Sequence, residues 1–230
     1  MNYADAVAKA YSLLTDRFTV FVFDRRNELP AEYSVQEMAR DTAAAFRVLG
    51  LEQVCLFGAS QGGMIAMEIA AEAPELVSRL IIGSSSACIT DEQYQAVGRW
   101  VQLAEAGNAG DLYLAFGEAV WPREVFEQSR NLLAESSKNV TEENLRRFVV
   151  LAEGLKDFDA REKLRKIACP VLVIGSADDR VLGADASGEI AKLLKDHTDV
   201  ELYMYDGYGH AAYDTAPDYK ERILRFLAQE

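Results

Sequence analysis

Short apolar runs alternate along the chain with longer segments of helical periodicity. Runs rich in β-branched and aromatic residues predict buried strands. Five such runs occupy residues 18–24, 54–57, 79–84, 170–175 and 200–206. Helical patterns fall between or beside them, at residues 4–14, 34–49, 61–72, 186–195 and 217–227. This alternation predicts an α/β fold, a mostly parallel sheet with helices on both faces.

Two departures from simple alternation refine the picture. Ser34 and Glu37 have the spacing of a capping box, and Gly50 is placed to end the helix that they open. Residues 88–160 lack strand patterns and are rich in Glu, Ala, Gln, Leu and Arg, which predicts several helices packed as one insertion. We therefore expect a sheet-forming core from residues 1–87 and 161–230, interrupted by a helical insertion at 88–160.

One strand-to-helix junction carries the pattern Gly-x-Ser-x-Gly, at Gly58-Ala59-Ser60-Gln61-Gly62. A serine on such a tight turn is lifted clear of the sheet, and the next backbone N–H, here that of Gln61, points at the same place. Both glycines are expected because a side chain at either flank would collide with backbone. The alternative is a phosphate-cradling turn at a helix N-terminus. It is disfavoured because the chain has neither Gly-x-Gly-x-x-Gly nor Gly-Lys-Ser/Thr.

A serine nucleophile needs a base, and the chain has two histidines. His197 lies in a polar helix end, where a solvated capping role is expected. His210 follows the last strand pattern directly, between Gly209 and Ala211. Because ligands bind at the carboxyl ends of parallel strands, we expect His210 to be the base.

The histidine in turn needs a carboxylate to orient it. Asp178 and Asp179 both follow the strand pattern at 170–175. We select Asp178 as the acid and expect Asp179 to pair with Arg180 or to cap the turn. Ser60, Asp178 and His210 then occur in the order nucleophile, acid, base.

These motifs together resemble the α/β-hydrolases of the esterase, lipase and haloperoxidase-like branch. The resemblance spans nearly the whole chain and rests on four segments: Gly58-Ala59-Ser60-Gln61-Gly62-Gly63, the run at 74–80, Gly175-x-x-Asp178 and Gly207-x-Gly209-His210. It implies that the helical insertion forms a cap over the site. Aromatic residues of that cap are expected to line an acyl pocket or else to form the core of the cap itself: Trp100, Tyr113, Phe116, Trp121 and Phe126.

The sequence also departs from the family. The resemblance implies a second oxyanion donor on a His-Gly loop upstream of the strand that matches residues 18–24, and the chain contains no His-Gly pair. Its first residues match the helix after that loop, so two or three strands are expected to be absent, including a central one between those matching 18–24 and 54–57. Three explanations stay open: a fragment or mis-started reading frame, a rearranged sheet, or another segment in the gap. The sequence Asp24-Arg25-Arg26-Asn27 also replaces the family's Asp-x-Arg-Gly-x-Gly-x-Ser.

The predicted activity is that of a serine hydrolase acting on a small carboxylic ester, thioester or lactone through an acyl-enzyme, with Gln61 as oxyanion donor. Carbon–carbon bond hydrolysis and acyl transfer on the same fold are alternatives. So are a catalytically weak binding protein without a complete oxyanion hole and an assembly completed by a second polypeptide. No metal or organic cofactor is implied, and substrate identity and oligomeric state stay open.

The amino-acid composition limits the kinds of partner that this protein is expected to bind. The chain has 230 residues, 50% of them hydrophobic, enough for one substantial core. A net charge of −13 argues against nucleic acid and anionic membranes. The N-terminus has no signal-peptide pattern, so a cytoplasmic protein acting on a small molecule is expected. Three cysteines, an odd number, predict buried, reduced thiols.

Overall fold

A computed structural model describes residues 3–229 of the chain. Four parallel strands form one sheet in the order β1-β2-β3-β4. Their bounds are Val54–Ala59 (β1), Val77–Gly83 (β2), Val171–Ser176 (β3) and Val200–Tyr205 (β4). The predicted α/β class is confirmed, with every carboxyl end at one edge of the sheet.

Helices cover the sheet and fill the middle of the chain. They are α1 (Tyr3–Ala10), α2 (Val35–Val48), α3 (Gln61–Glu72), α4 (Asp91–Glu105), α5 (Ala109–Val120), α6 (Arg123–Ser137), α7 (Glu142–Glu153), α8 (Ala186–Leu194), α9 (Ala212–Thr215) and α10 (Tyr219–Leu227). The predicted capping box opens α2: the Ser34 hydroxyl accepts from the Glu37 N–H, and the Glu37 carboxylate accepts from the Ser34 N–H. Gly50, with φ +66°, follows its end as expected.

Alternate side chains of the central strands enter two separate cores, as the twofold period of a strand requires. Leu80, Ile82 and Val173 pack on the face that α2, α3 and α8 cover. Ile81 and Ile174 pack on the other face, against α10. Helices therefore lie on both faces of the sheet. All six residues of β3 are buried, as are five of the seven residues of β2.

The helical insertion consists of α4, α5, α6 and α7, which lie between β2 and β3. An isolated bridge between Cys88 and Asp159 joins its two ends. Side chains such as Trp100 and Leu145 belong to the same buried cluster as the sheet and α3. The insertion thus packs continuously onto the rest of the fold, and its treatment as a separate domain at 88–160 stays a prediction.

The predicted strand at residues 18–24 is wrong. The segment has no regular structure, and the side chains of Phe21 and Val22 are 51% and 52% exposed. A strand requires a hydrogen-bonded neighbour, and within residues 3–229 no segment pairs with the outer edge of β1. Phe23 packs instead against Phe46 of α2, with ring centroids 4.8 Å apart. Of the three explanations left open for the absent strands, a replacement segment in the gap is therefore not found in the described chain.

The cysteines are unpaired, but one prediction about them is wrong. Cys88 is buried and Cys169 is half-buried, whereas Cys55 is exposed because it lies on β1 at the edge of the sheet. Burial raises the pKa of the Cys88 and Cys169 thiols. As for membranes, none of the helices from residue 3 to residue 229 is both long and apolar enough to cross one.

Candidate active site

Ser60 lies at the junction of β1 and α3 in a backbone conformation that few residues other than glycine adopt. Its φ is 54° and its ψ is −124°. Its N–H donates to the Gly83 carbonyl at 2.8 Å, which ties the turn to β2. A Cβ at Gly58 would lie 2.1 Å from the Gly62 carbonyl oxygen, so this position must be glycine. The predicted tight turn is confirmed.

The explanation for the second glycine of the motif needs correction. A Cβ at Gly62 would meet nothing within 4 Å, so no collision requires glycine there. The neighbouring Gly63 is the crowded position, because a Cβ would come within 2.7 Å of the Ser85 side chain. Close packing of α3 against the chain after β2 therefore selects glycine one residue later than expected.

His210 is buried on the loop that follows β4. Its Nε2 is 3.0 Å from the Ser60 Oγ, although the two residues are 150 positions apart in the chain. The preceding Gly209 has φ +65°, and a Cβ there would come within 2.9 Å of the Val120 carbonyl oxygen. His197, by contrast, is exposed beyond the end of α8. Of the two histidines, the structure brings the predicted one to the serine.

The carboxylate beside His210 belongs to Asp179, so the selection of Asp178 is wrong. Asp179 Oδ2 is 2.8 Å from His210 Nδ1. Its other oxygen accepts from the backbone N–H groups of Val181 and Leu182, at 2.8 and 3.0 Å. Both side chains of the pair are 3% exposed. The two amides and the burial hold the carboxylate in one orientation against the imidazole.

Asp178 points the other way and holds the loop that carries the histidine. Its carboxylate accepts from the Ser176 hydroxyl at 2.7 Å and from the N–H groups of Gly207 and Gly209, both at 3.1 Å. Burial alone would raise the pKa of Asp178, but these hydrogen bonds outweigh it and the pKa is lowered. Asp178 therefore joins the loop after β3 to the loop after β4.

Of the two roles expected for Asp179, the cap of the turn is confirmed by the Val181 and Leu182 N–H groups, whereas the pairing with Arg180 is absent. The Arg180 guanidinium donates instead to carbonyl oxygens of the helical insertion, those of Glu118 and Trp121. Sequence position does not distinguish Asp178 from Asp179, because which carboxylate faces the histidine depends on the turn that follows β3.

Gln61 is the first residue of α3, where helix geometry offers its backbone N–H no intrahelical acceptor. Its side chain is held at both ends. The amide oxygen accepts from Arg25 at 2.8 Å, and the amide nitrogen donates to the Leu151 carbonyl at 2.6 Å. Sequence reasoning used only the backbone of Gln61 and missed these side-chain contacts.

The aromatic residues expected around an acyl pocket lie in or beside α4, α5 and α6. Trp100 packs against Phe116 with ring centroids 4.9 Å apart, and Phe126 is buried. Tyr113 is half-buried on α5. Trp121 is half-buried, and its carbonyl is one of those that contact the loop after β3. Their role in substrate binding stays a prediction.

Comparison with known proteins identifies the family of this chain. The family model described as alpha/beta hydrolase fold matches residues 6–217. The chain belongs to the alpha/beta hydrolase family. This assignment confirms the resemblance drawn from the sequence.

Relatives and structural neighbours within the family are distant. RutD of Agrobacterium fabrum, named provisionally as a carbamate hydrolase, is 26% identical over 223 residues, which is 93% of this chain and 84% of RutD. The alpha/beta hydrolase MGS-M2 from a deep-sea metagenome library of the Medee basin superposes with a TM-score of 0.83 at 21% identity, over 100% of this chain and 86% of its own. The enol-lactonase of Burkholderia xenovorans LB400 superposes with a TM-score of 0.84 at 17% identity, over 97% of this chain and 86% of its own. These two structures show the shared fold.

Proposed function

We propose that this alpha/beta hydrolase is a serine hydrolase that cleaves a small carboxylic ester, thioester or lactone through an acyl-enzyme at Ser60. The supporting observation is the continuous hydrogen-bonded path from Ser60 through His210 to Asp179, with contacts of 3.0 and 2.8 Å. A hydroxyl, an imidazole and a carboxylate in this arrangement generate a nucleophile at neutral pH.

In the proposed reaction, His210 Nε2 takes the Ser60 proton as the Ser60 oxygen attacks the substrate carbonyl carbon. Asp179 holds the ring with its Nδ1 protonated and stabilises the imidazolium that forms. The Gln61 N–H donates to the oxyanion of the tetrahedral intermediate. His210 then protonates the leaving group as the bond to it breaks, and a water molecule activated by His210 hydrolyses the acyl-enzyme.

One further class of substrate is compatible with the proposed reaction. The likeness to RutD adds carbamates to the esters, thioesters and lactones that the site suits, because a carbamate carbonyl reacts by the same attack. The helical insertion is proposed to limit substrate size. A panel of short esters, thioesters, lactones and carbamates, compared by kcat/KM, separates these classes.

A fluorophosphonate probe tests the nucleophile directly, since it reacts covalently with an activated serine. We expect the wild type to be labelled at Ser60, identified by mass spectrometry of the modified peptide. Ser60→Ala should abolish labelling. Ser136→Ala, at an exposed serine of α6, is the matched control and should be labelled like the wild type. An unlabelled wild type, or equal labelling of Ser60→Ala, would overturn the proposal.

An alternative from a different functional class is a binding protein that has lost turnover. Within residues 3–229, Gln61 is the one oxyanion donor that we identify, and loss of a second donor typically lowers turnover by about 10²- to 10³-fold. Thermal stabilisation by an ester-like ligand without any product or acyl-enzyme would favour this alternative.

A further inference from the structure

The residue directly after each member of the Ser60, Asp179 and His210 array donates a hydrogen bond to the helical insertion. These residues are Gln61, at the start of α3, and Arg180 and Ala211, on the loops after β3 and β4. Their acceptors are backbone carbonyls of the insertion: Leu151, Glu118, Trp121 and Val120. The insertion therefore contacts the chain at three separate places, each one residue away from a reacting side chain.

Two of these contacts cap the end of α5. This helix ends at Val120, and Pro122 follows two residues later, a position from which a helix cannot continue. Its last carbonyls need donors from elsewhere. The Ala211 N–H donates to the Val120 carbonyl at 2.9 Å, from the residue that follows His210.

Arg180 supplies the other donors to this helix end. Its Nη2 is 2.8 Å from the Glu118 oxygen and 2.9 Å from the Trp121 oxygen. A cation suits the negative end of a helix dipole, so the contact is favourable both as a hydrogen bond and by charge. Because Arg180 follows Asp179 directly, a shift of α5 acts on the acid through one backbone link.

The third contact reaches the nucleophile. Gln61 donates to the Leu151 carbonyl in α7 at 2.6 Å and is the first residue of the helix that Ser60 opens. Arg147, also in α7, donates to the carbonyls of Arg26 and Asn27, beside the residue that binds the Gln61 amide oxygen. Helix α7 thus contacts the Gln61 side chain directly, and through Arg147 it also contacts the segment whose Arg25 binds the Gln61 amide oxygen.

We propose that Arg180 and Gln61 are positioning residues. Through their hydrogen bonds, the helical insertion keeps the side chains of Ser60, His210 and Asp179 aligned for reaction. This inference rests on the proposed function. In it the insertion completes the alignment of the reacting groups as well as screening the substrate. Displacements of about 1 Å at a reacting group lower rates by up to about 10²-fold. Loss of either side-chain contact therefore slows the chemical step.

The test uses a reagent too small to be screened by the insertion. The second-order rate of Ser60 modification by a short-chain fluorophosphonate is measured for the wild type, Arg180→Met and Gln61→Met, beside kcat and KM for a short ester. Both variants keep an unbranched stem, and Gln61→Met keeps the backbone N–H. We expect both the modification rate and kcat to fall about 10- to 100-fold. KM should change much less than kcat.

Two further variants separate positioning from general damage. Arg180→Lys retains a cation and should recover part of the lost rate. Arg99→Met replaces an exposed arginine of α4 whose side chain has no hydrogen-bond or ion-pair partner within residues 3–229, and should match the wild type. Thermal melts identify any variant that loses its fold. If Arg180→Met loses its fold, the rates of Gln61→Met and Arg180→Lys are compared with the wild type instead.

The outcomes distinguish the two proposals. A wild type that reacts while Arg180→Met and Gln61→Met stay within twofold of its modification rate and kcat overturns the positioning role alone. A change confined to KM for the short ester also overturns it and assigns the two contacts to substrate binding. A wild type that does not react at Ser60 overturns the proposed function, and the positioning role with it.

Discussion

Two apolar runs with the same expected structure differ completely in the folded molecule. Residues 18–24 and β3 (Val171–Ser176) both combine strand length with β-branched or aromatic side chains. β3 lies between β2 and β4 with all six of its residues buried. Residues 18–24 have no regular structure, and two of their apolar side chains are half-exposed.

The difference shows that a neighbour, rather than composition, decides whether an apolar run becomes a strand. β3 has partners on both edges and helices on both faces, so its backbone hydrogen bonds and its side chains are all satisfied. Residues 18–24 have no sheet partner in the described chain. Phe23 packs against α2, and Phe18 and Val20 pack at the margin of the core on the α10 face. The consequence for the candidate site is that the proposed acid, Asp179, lies on a loop that follows a fully buried strand, whereas the proposed nucleophile, Ser60, follows the edge strand β1.

The largest effect on catalysis is expected from substitutions in the loop that follows β3. Asp179→Asn should lower kcat by about 10⁴-fold, because the amide leaves His210 in the wrong tautomer. Asp178→Asn is the matched control, one residue away, and should lower kcat by no more than about 10-fold through a looser histidine loop. Steady-state kinetics on the best ester of the panel measures both. The reverse order of effects would restore Asp178 as the acid.

A second pair of substitutions compares the stability contributed by the two runs. Val173→Ala in β3 removes two methyl groups from a fully buried site and should lower the free energy of unfolding by about 2 kcal/mol. Val22→Ala makes the same change at a side chain that is 52% exposed and should alter it by less than about 0.5 kcal/mol. Urea denaturation gives both values. Equal losses would mean that residues 18–24 are packed in solution as firmly as β3.

The smallest effect concerns pH. The folded-state pKa of Asp178 is lowered, so its contribution to stability is present above its unfolded pKa, about 3.9, and is lost as pH falls through the folded value. Asp178→Asn should therefore destabilise the protein by about 1–2 kcal/mol at pH 7. The difference in the free energy of unfolding between the wild type and Asp178→Asn should become smaller below about pH 4.

Asp24→Asn is the control from the other run. Its side chain is 81% exposed beside Arg147, so the change should stay within about 0.5 kcal/mol at both pH values. Urea midpoints at pH 7 and pH 3 provide the comparison. A gap for Asp178→Asn that is as wide at pH 3 as at pH 7 would contradict the ionised role of Asp178.

Local chemistry made several features predictable. The capping box at Ser34, the tight turn at Ser60 and the strands β1 to β4 follow from contacts within a few residues or from strong apolar patterns. His210 was identifiable because only two histidines were available and one of them follows a strand. Asp179 was not separable from Asp178 because both follow the same strand, and the direction of each carboxylate depends on loops about 30 residues further along the chain.

The sequence by itself determined the family, the four strands β1 to β4, and the serine and histidine of the candidate site, because these depend on local patterns and on which residue types are present. Tertiary structure alone decided three things: that residues 18–24 form no strand, that Asp179 rather than Asp178 faces His210, and that Gln61 and Arg180 contact the insertion. Each depends on a partner distant in sequence, whether a neighbouring strand, a histidine loop or a helix end, and such partners meet only when the chain has folded.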